Sequence, residues 1–227
     1  MYKLKLFLRN NKFTSRLYYK LFKLKSVKKG KNLQKYQKEI TKDIYNVFED
    51  VGIEYTYAFG SLLGIIRDKG FMPHDDDVDI MVMNDENKIG LLINELEKNG
   101  FKLIHYCKVD SIITEYTFLY KNTGLTIDVF INFKTNDNLL TTYWLYQDAN
   151  KHYKNKNQMS VSMTKKCDIS DYKYVNYWGV DLRVPKNAEE VLYWNYGEKW
   201  MIKDPNYSPK KSPGFVATER VGEFVNC

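Results

Sequence analysis

The sequence predicts an α+β fold, a mixed β-sheet with packed helices, preceded by a basic amphipathic helical segment at the N-terminus. Two observations carry this expectation. Elements run in the order helix, strand, helix, strand, helix, and then strands alone, a succession that suits a sheet with helices laid against it. Charge is also unevenly placed, because residues 1–38 hold 13 of the chain's 35 lysines and arginines and no acid, leaving 22 basic against 28 acidic side chains over residues 39–227.

In residues 2–24 apolar side chains recur at Leu4, Phe7, Leu8, Leu17, Tyr18, Leu21 and Phe22 among basic ones, the pattern of a basic amphipathic helix. Such a helix suits either an anionic membrane surface, through residues 1–31, or packing on the body with a solvated basic face. Ser26–Asn32, with Gly30 in a lysine run, reads as a linker, so the chain divides into residues 1–32 and a folded body of residues 33–227. From Leu33 to Val51 the spacing Tyr36, Ile40, Ile44, Val47, Phe48, Val51 marks one helical face, ended by Gly52. Tyr55–Phe59 is a short strand, Leu62–Arg67 opens a helix, and Val78–Met83 is an apolar strand. Glu86–Asn99 is an amphipathic helix closed by Gly100. Phe101–Lys108, Ile112–Tyr120 and Leu125–Asn132 are strands, with Lys121–Gly124 a hairpin turn. Residues 138–178, polar and aromatic, show no assignable period. Val180–Val184 reads as a strand, Ala188–Asn195 as a short helix, and the proline-bearing tail from Asp204 as loop.

Composition excludes several classes. No run approaches the roughly 18 apolar residues of a membrane span, and lysines interrupt every apolar run at the N-terminus, against a signal peptide. Cys107, Cys167 and Cys227 are too scattered for a disulfide framework, which fits a reducing cytoplasm, with a peripheral place at the inner face of the plasma membrane. The mildly acidic body counts against nucleic acid as a partner.

The chemistry concentrates in Asp75, Asp76, Asp77 and Asp79, four aspartates in five residues leading into a buried strand. Side chains alternate along a strand, so Asp77 and Asp79 share a face while Val78 and Ile80 enter the core; Asp75 joins them if the extended backbone reaches that far. Crowded carboxylates resist ionising unless a cation neutralises them, and Mg²⁺ accepts such oxygen ligands. The alternative is turn chemistry with capping aspartates, the expected role of out-of-phase Asp76. An EF-hand loop is excluded by the missing glycine and terminal glutamate. Upstream, Gly60 lets backbone approach a phosphate at a helix start, Ser61 offers a hydroxyl, and Arg67 a guanidinium. Downstream, Asp128 sits in an otherwise apolar strand, costly there unless paired or metal-bound. His74, His105 and His152 lack zinc-ligand spacing. The aromatic group Trp178, Tyr193, Trp194, Tyr196 and Trp200 reads as core rings, or as a sugar or choline platform.

Strand, Gly-Ser, helix, hydrophobic-Asp-x-Asp-hydrophobic and a later lone carboxylate resemble the nucleotidyltransferase superfamily. More narrowly, Phe59-Gly60-Ser61-Leu62-Leu63-Gly64 through Arg67, Gly70-Phe71 and Pro73 to Asp79-Ile80 resembles the LicD family. Val184-Pro185-Lys186, Leu192, Tyr196-Gly197, Trp200-Met201 and Pro205 extend the likeness, which spans roughly residues 33–206. His74 departs from it, standing where a tryptophan is usual. The resemblance implies a nucleotidyltransferase-like fold and transfer of a phospho-alcohol, such as phosphocholine, from a CDP-activated donor, with CDP-choline the first choice, to a hydroxyl of a cell-surface glycan. It implies Mg²⁺, or Mn²⁺, on Asp77, Asp79 and Asp128, with Asp75 orienting or deprotonating the acceptor and Gly60, Ser61 and Arg67 binding the donor phosphates. Two other functions use the same residues: transfer of a nucleoside monophosphate to a small molecule or protein, and a catalytically silent nucleotide-binding scaffold.

Overall fold

The computed structural model describes residues 15–136, 139–148, 151–204 and 206–227, with side chains from Lys29 onward. Helix α1 (Ser15–Val51) is continuous, so Ser26–Asn32 is helical rather than a linker. The reason is tertiary contact: Gly30 lies against the backbone of Pro73, and Asn32 Nδ2 donates to the Thr123 carbonyl at 2.7 Å. These contacts outweigh the low helix propensity of a glycine. The amphipathic pattern of residues 2–24 lies outside the described side chains. Farther along α1, Ile40, Ile44, Val47 and Phe48 are fully buried, on the face the spacing predicts, each contributing about 1.5–3 kcal/mol of apolar burial.

Strand β1 (Tyr55–Tyr57) leads into α2 (Phe59–Leu63), a π-helical segment (Gly64–Asp68) and β2 (Asp77–Met83). Helix α3 (Glu86–Lys98) is capped by the Asp85 carboxylate, which accepts from the Lys88 amide. Strands β3 (Phe101–Val109), β4 (Ile112–Tyr120), β5 (Leu125–Lys134), β6 (Leu140–Tyr146) and β7 (Gln158–Lys166) follow. The hairpin β8 (Tyr172–Tyr177) and β9 (Val180–Pro185), helix α4 (Ala188–Tyr196) and β10 (Phe215–Asn226) complete the chain.

Eight strands form one sheet in the order β1-β2-β5-β4-β3-β10-β7-β6, and β8-β9 form a second. Only the β2–β5 pairing is parallel among those described; the end of β5 also pairs with β6, so the sheet curls back on itself. Four strands escape the sequence reading. β6, β7 and β8 lie in residues 138–178, the stretch without a period, and β10 lies in a tail expected to be loop. β10 alternates poorly, as Phe-Val-Ala-Thr-Glu-Arg-Val-Gly-Glu-Phe-Val-Asn, yet it pairs with β3 on one side and β7 on the other, with a bulge between Ala217 and Val221. Its place is set by backbone hydrogen bonds on both edges, which leave no mark in side-chain periodicity. Among the described residues no helix is long and apolar enough to cross a membrane.

Candidate active site

Parallel pairing of β2 with β5 sets Asp79 directly beside Asp128, and Asp77 lies two residues earlier on the same face of β2. A carboxylate oxygen from each of Asp77, Asp79 and Asp128 lies within 4.8 Å of the others. The third aspartate is thus brought in by strand register across 48 intervening residues, which sequence spacing alone does not fix.

Helix α2 is pinned to this triad at Asp79. The Asp79 amide donates to Ser61 Oγ at 2.9 Å, and the Ala58 amide donates to the Asp79 carbonyl at 3.0 Å. Gly60 and Ser61 therefore belong to the first turn of α2 instead of a loop before the helix, and Ser61 is buried with its oxygen engaged by Asp79. A Cβ on Gly60 would stand 3.5 Å from Asp79 Oδ2 and 3.7 Å from Asp75 Oδ1, so the missing side chain leaves open the space between these two carboxylates. Phe59 has φ +41°, a left-handed conformation costly for an L side chain, and is held there by rings of Phe130 and Trp144 at 5.1 and 4.2 Å. That strain turns the backbone so that Gly60 faces the carboxylates.

Asp75 reaches the site by a turn, not by extension of β2. Its carboxylate accepts from the Met72 amide at 2.9 Å, and its amide donates back to the Met72 carbonyl at 3.0 Å. Asp76 lies outside the triad. Arg67 lines a groove of about 840 Å³ with Met72, His74, Tyr196, Lys199 and Lys203. Its guanidinium pairs with Asp68 at 2.9 Å and donates to the Trp200 carbonyl at 3.4 Å, so it is anchored beside the groove. Of the aromatic group, Trp178, Trp194, Tyr196 and Trp200 pack on the core, while Tyr193 is exposed.

Burial and mutual repulsion hold the acidic groups well above the usual carboxylate range. Burial, then Asp128, pushes Asp77 up to about 7. Asp79 is raised well above its ordinary value by burial and by Asp77, and Asp128 is raised by burial against the opposing hydrogen bond from Thr117 Oγ1 at 2.7 Å. Asp75 rises to about 6, chiefly through burial. Two groups went unpredicted. Glu115 on β4, two residues from Thr117, is pushed to about 8 by burial and then by Asp128, adding to Asp75 a further carboxylate near the triad. Lys29 on α1 favours the charged forms of Asp77 and Asp128. The Lys121–Gly124 hairpin already pairs β4 with β5, but no local pattern marks Glu115 as facing the triad; Lys29 lies in the residues read as a linker.

An all-oxygen donor set with so little compensating positive charge fits a hard divalent cation. Asp77, Asp79 and Asp128 are the residues that would hold it.

Comparison with known proteins places the chain in a family. The ribitol-5-phosphate transferase FKTN of Mus musculus is 25% identical over 185 residues, covering 79% of this chain and 36% of its own length. Uncharacterized proteins of Rickettsia typhi and Rickettsia prowazekii are 31% identical over 80 residues and 29% over 111, covering 35% and 48% of this chain. The matches cover 25% and 38% of those two proteins, so the chain spans about a third of the length of these relatives. Among solved structures, the lincomycin-bound lincosamide antibiotic adenylyltransferase LnuA aligns with a TM-score of 0.40 at 15% identity, over 66% of this chain and 80% of its own, too loose to argue from. The profile of the LicD/FKTN/FKRP nucleotidyltransferase domain matches residues 52–187, more than half of the chain, and the protein belongs to that family.

Proposed function

We propose that the chain is a metal-dependent transferase that moves a phospho-alcohol group from a CDP-activated donor to a hydroxyl of a cell-surface glycan. The observation that carries this reading is the convergence of Asp77, Asp79 and Asp128 within 4.8 Å, beside the space left by Gly60. Kinship with a family that includes a named ribitol-5-phosphate transferase supports the phospho-alcohol as the group transferred. Bound Mg²⁺ or Mn²⁺ would neutralise the donor diphosphate and the charge that builds during in-line displacement.

The chain's own residues do the rest. Gly60 gives the diphosphate access to the carboxylates, Ser61 fixes Asp79, and Thr117 fixes Asp128. Lys29 and Arg67 add positive charge on two sides of the site. The acceptor hydroxyl oxygen attacks the phosphorus that bears the alcohol. The bond from that phosphorus to the bridging oxygen breaks, and CMP leaves with the bonding electrons. The hydroxyl proton passes to Asp75, whose carboxyl, held near pH 6, is mostly ionised at neutral pH and free to accept it.

The test is Asp77→Ala and Asp79→Ala assayed with Mg²⁺, CDP-ribitol or CDP-choline, and a glycan acceptor. The proposal expects CMP release by the wild type and at least a hundredfold loss in each variant, on the order expected for removal of a transition-state charge stabiliser. Full activity in either folded variant, or pyrophosphate release from a nucleoside triphosphate in place of CMP, overturns it.

A further inference from the structure

Beside the carboxylates lies a second cavity, of about 370 Å³, that the transfer chemistry above does not use. Phe59, the neighbour of Gly60, lines it, and Tyr196 lines both this cavity and the wide groove. Resting on the reading of the chain as a nucleotide-donor enzyme, we propose that this cavity is the subsite for the donor's nucleobase, stacked on Trp144 and Tyr207 with Asn195 reading its edge.

Three observations favour a flat, uncharged ring here. Two aromatic pairs from distant parts of the chain line the cavity, Phe59–Trp144 with centroids at 4.2 Å and Tyr196–Tyr207 at 5.0 Å. Every base has a π-face, so such rings bind it whatever its sequence identity. Lys210 is the one charged side chain among the described lining residues, so the cavity suits neither a diphosphate nor a group needing a carboxylate partner. A trimethylammonium group would be attracted by the rings too, and the third observation separates the two. Asn195 is buried at 4% exposure in the cavity wall, and among the described residues neither its amide nitrogen nor its oxygen has a partner. Buried polar atoms are almost always paired. A base edge offers adjacent donors and acceptors that complement a carboxamide; trimethylammonium offers neither. The volume lies at the lower end for small-ligand pockets, which suits a single base.

The experiment measures binding of CMP, UMP, AMP, GMP, ribose 5-phosphate and phosphocholine to the full chain with Mg²⁺ by calorimetry. The wild type should bind one nucleotide at least about tenfold more tightly than ribose 5-phosphate, the margin expected of one stacked base. Tyr207→Ala should remove most of that margin while leaving ribose 5-phosphate within about twofold, and Trp144→Leu should remove the margin as well. Tyr207 is exposed, so its variant keeps the test sound if Trp144→Leu fails to fold. A margin that survives in the folded variants, or a loss of phosphocholine binding in its place, overturns the assignment. If the favoured nucleotide is not CMP but the variants abolish its margin, the subsite stands and the CDP donor falls. If no nucleotide outbinds ribose 5-phosphate, both fall.

Discussion

Replacing Asp77 by asparagine tests the electrostatic argument without any substrate. Asp77 is raised from 3.8 to about 7 in the folded chain, by burial and by Asp128. Between those values the folded state binds more protons than the unfolded state, so this group lowers stability as pH rises from about 4 to about 7. At about 1.4 kcal/mol per tenfold change, the full cost at pH 8 is about 4 kcal/mol, and at pH 4 it is almost nil. Asparagine keeps the buried polar atoms but removes the charge, so recovery of about 1–3 kcal/mol is expected, or roughly 3–10 °C in Tm for a chain of this size. The assay is thermal unfolding at pH 4 and pH 8, in EDTA and in Mg²⁺. In EDTA, Asp77→Asn should melt above the wild type at pH 8 and level with it at pH 4. Mg²⁺ should raise the wild-type Tm at pH 8 by binding the native state alone, and leave the variant nearly unmoved. A variant that melts lower than wild type at pH 8 in EDTA, or that keeps the full Mg²⁺ shift, refutes the carboxylate triad as a charge-strained cation site.

Three further substitutions address single contacts. Ser61→Ala removes the acceptor of the buried Asp79 amide and should cost about 1–3 kcal/mol in chemical denaturation, with reduced transfer. Gly64→Ala would place a Cβ 2.5 Å from the Gly70 carbonyl oxygen, so a drop of several degrees in Tm is expected against the gain that alanine usually brings to a helix. Lys166 is fully buried, donates to Thr142 Oγ1 at 2.5 Å, and is lowered by burial to about 7. Between pH 7 and its unfolded value the unfolded state binds the extra proton, so wild-type stability rises with pH across that window. Lys166→Met should gain most over wild type at pH 7 or below, and the gain should shrink by pH 10 in urea titrations.

The elements legible in the sequence were those whose packing face repeats along the chain. Ile40, Ile44, Val47 and Phe48 gave α1 its core-facing stripe, and Val78, Ile80 and Val82 gave β2 its buried face. The ligand set was legible for the same reason, because a carboxylate inside an apolar strand stands out against its neighbours. What stayed hidden depends on pairing across the sheet. The Lys121–Gly124 hairpin announces that β4 lies against β5, but the register that sets Thr117 opposite Asp128, and with it the place of Glu115 at the site, has no signature in either strand taken alone. β10 is held by backbone partners on both edges, and Ser26–Asn32 is kept helical by contacts with Pro73 and Thr123, residues far along the chain.

The positive charge of the site is divided by the packing of α1, and that division can be tested. Lys29 favours ionised Asp77 and Asp128, whereas Arg67, tied to Asp68, favours ionised Asp75. Lys29 comes near because the next residue has no side chain: a Cβ on Gly30 would stand 2.7 Å from the Pro73 carbonyl oxygen, a backbone atom that cannot swing aside. In a helix interior, alanine ordinarily stabilises over glycine by about 1 kcal/mol. Here Gly30→Ala should instead lift α1 from the Pro73–Asp75 turn and draw Lys29 away from the triad. Gly30→Ala and Lys29→Ala should therefore weaken donor binding to a similar extent, each by several-fold. The double variant should be no worse than either single one, since both remove the same interaction. Additive losses in a double-mutant cycle would mean that Gly30 serves only packing and that Lys29 acts without it.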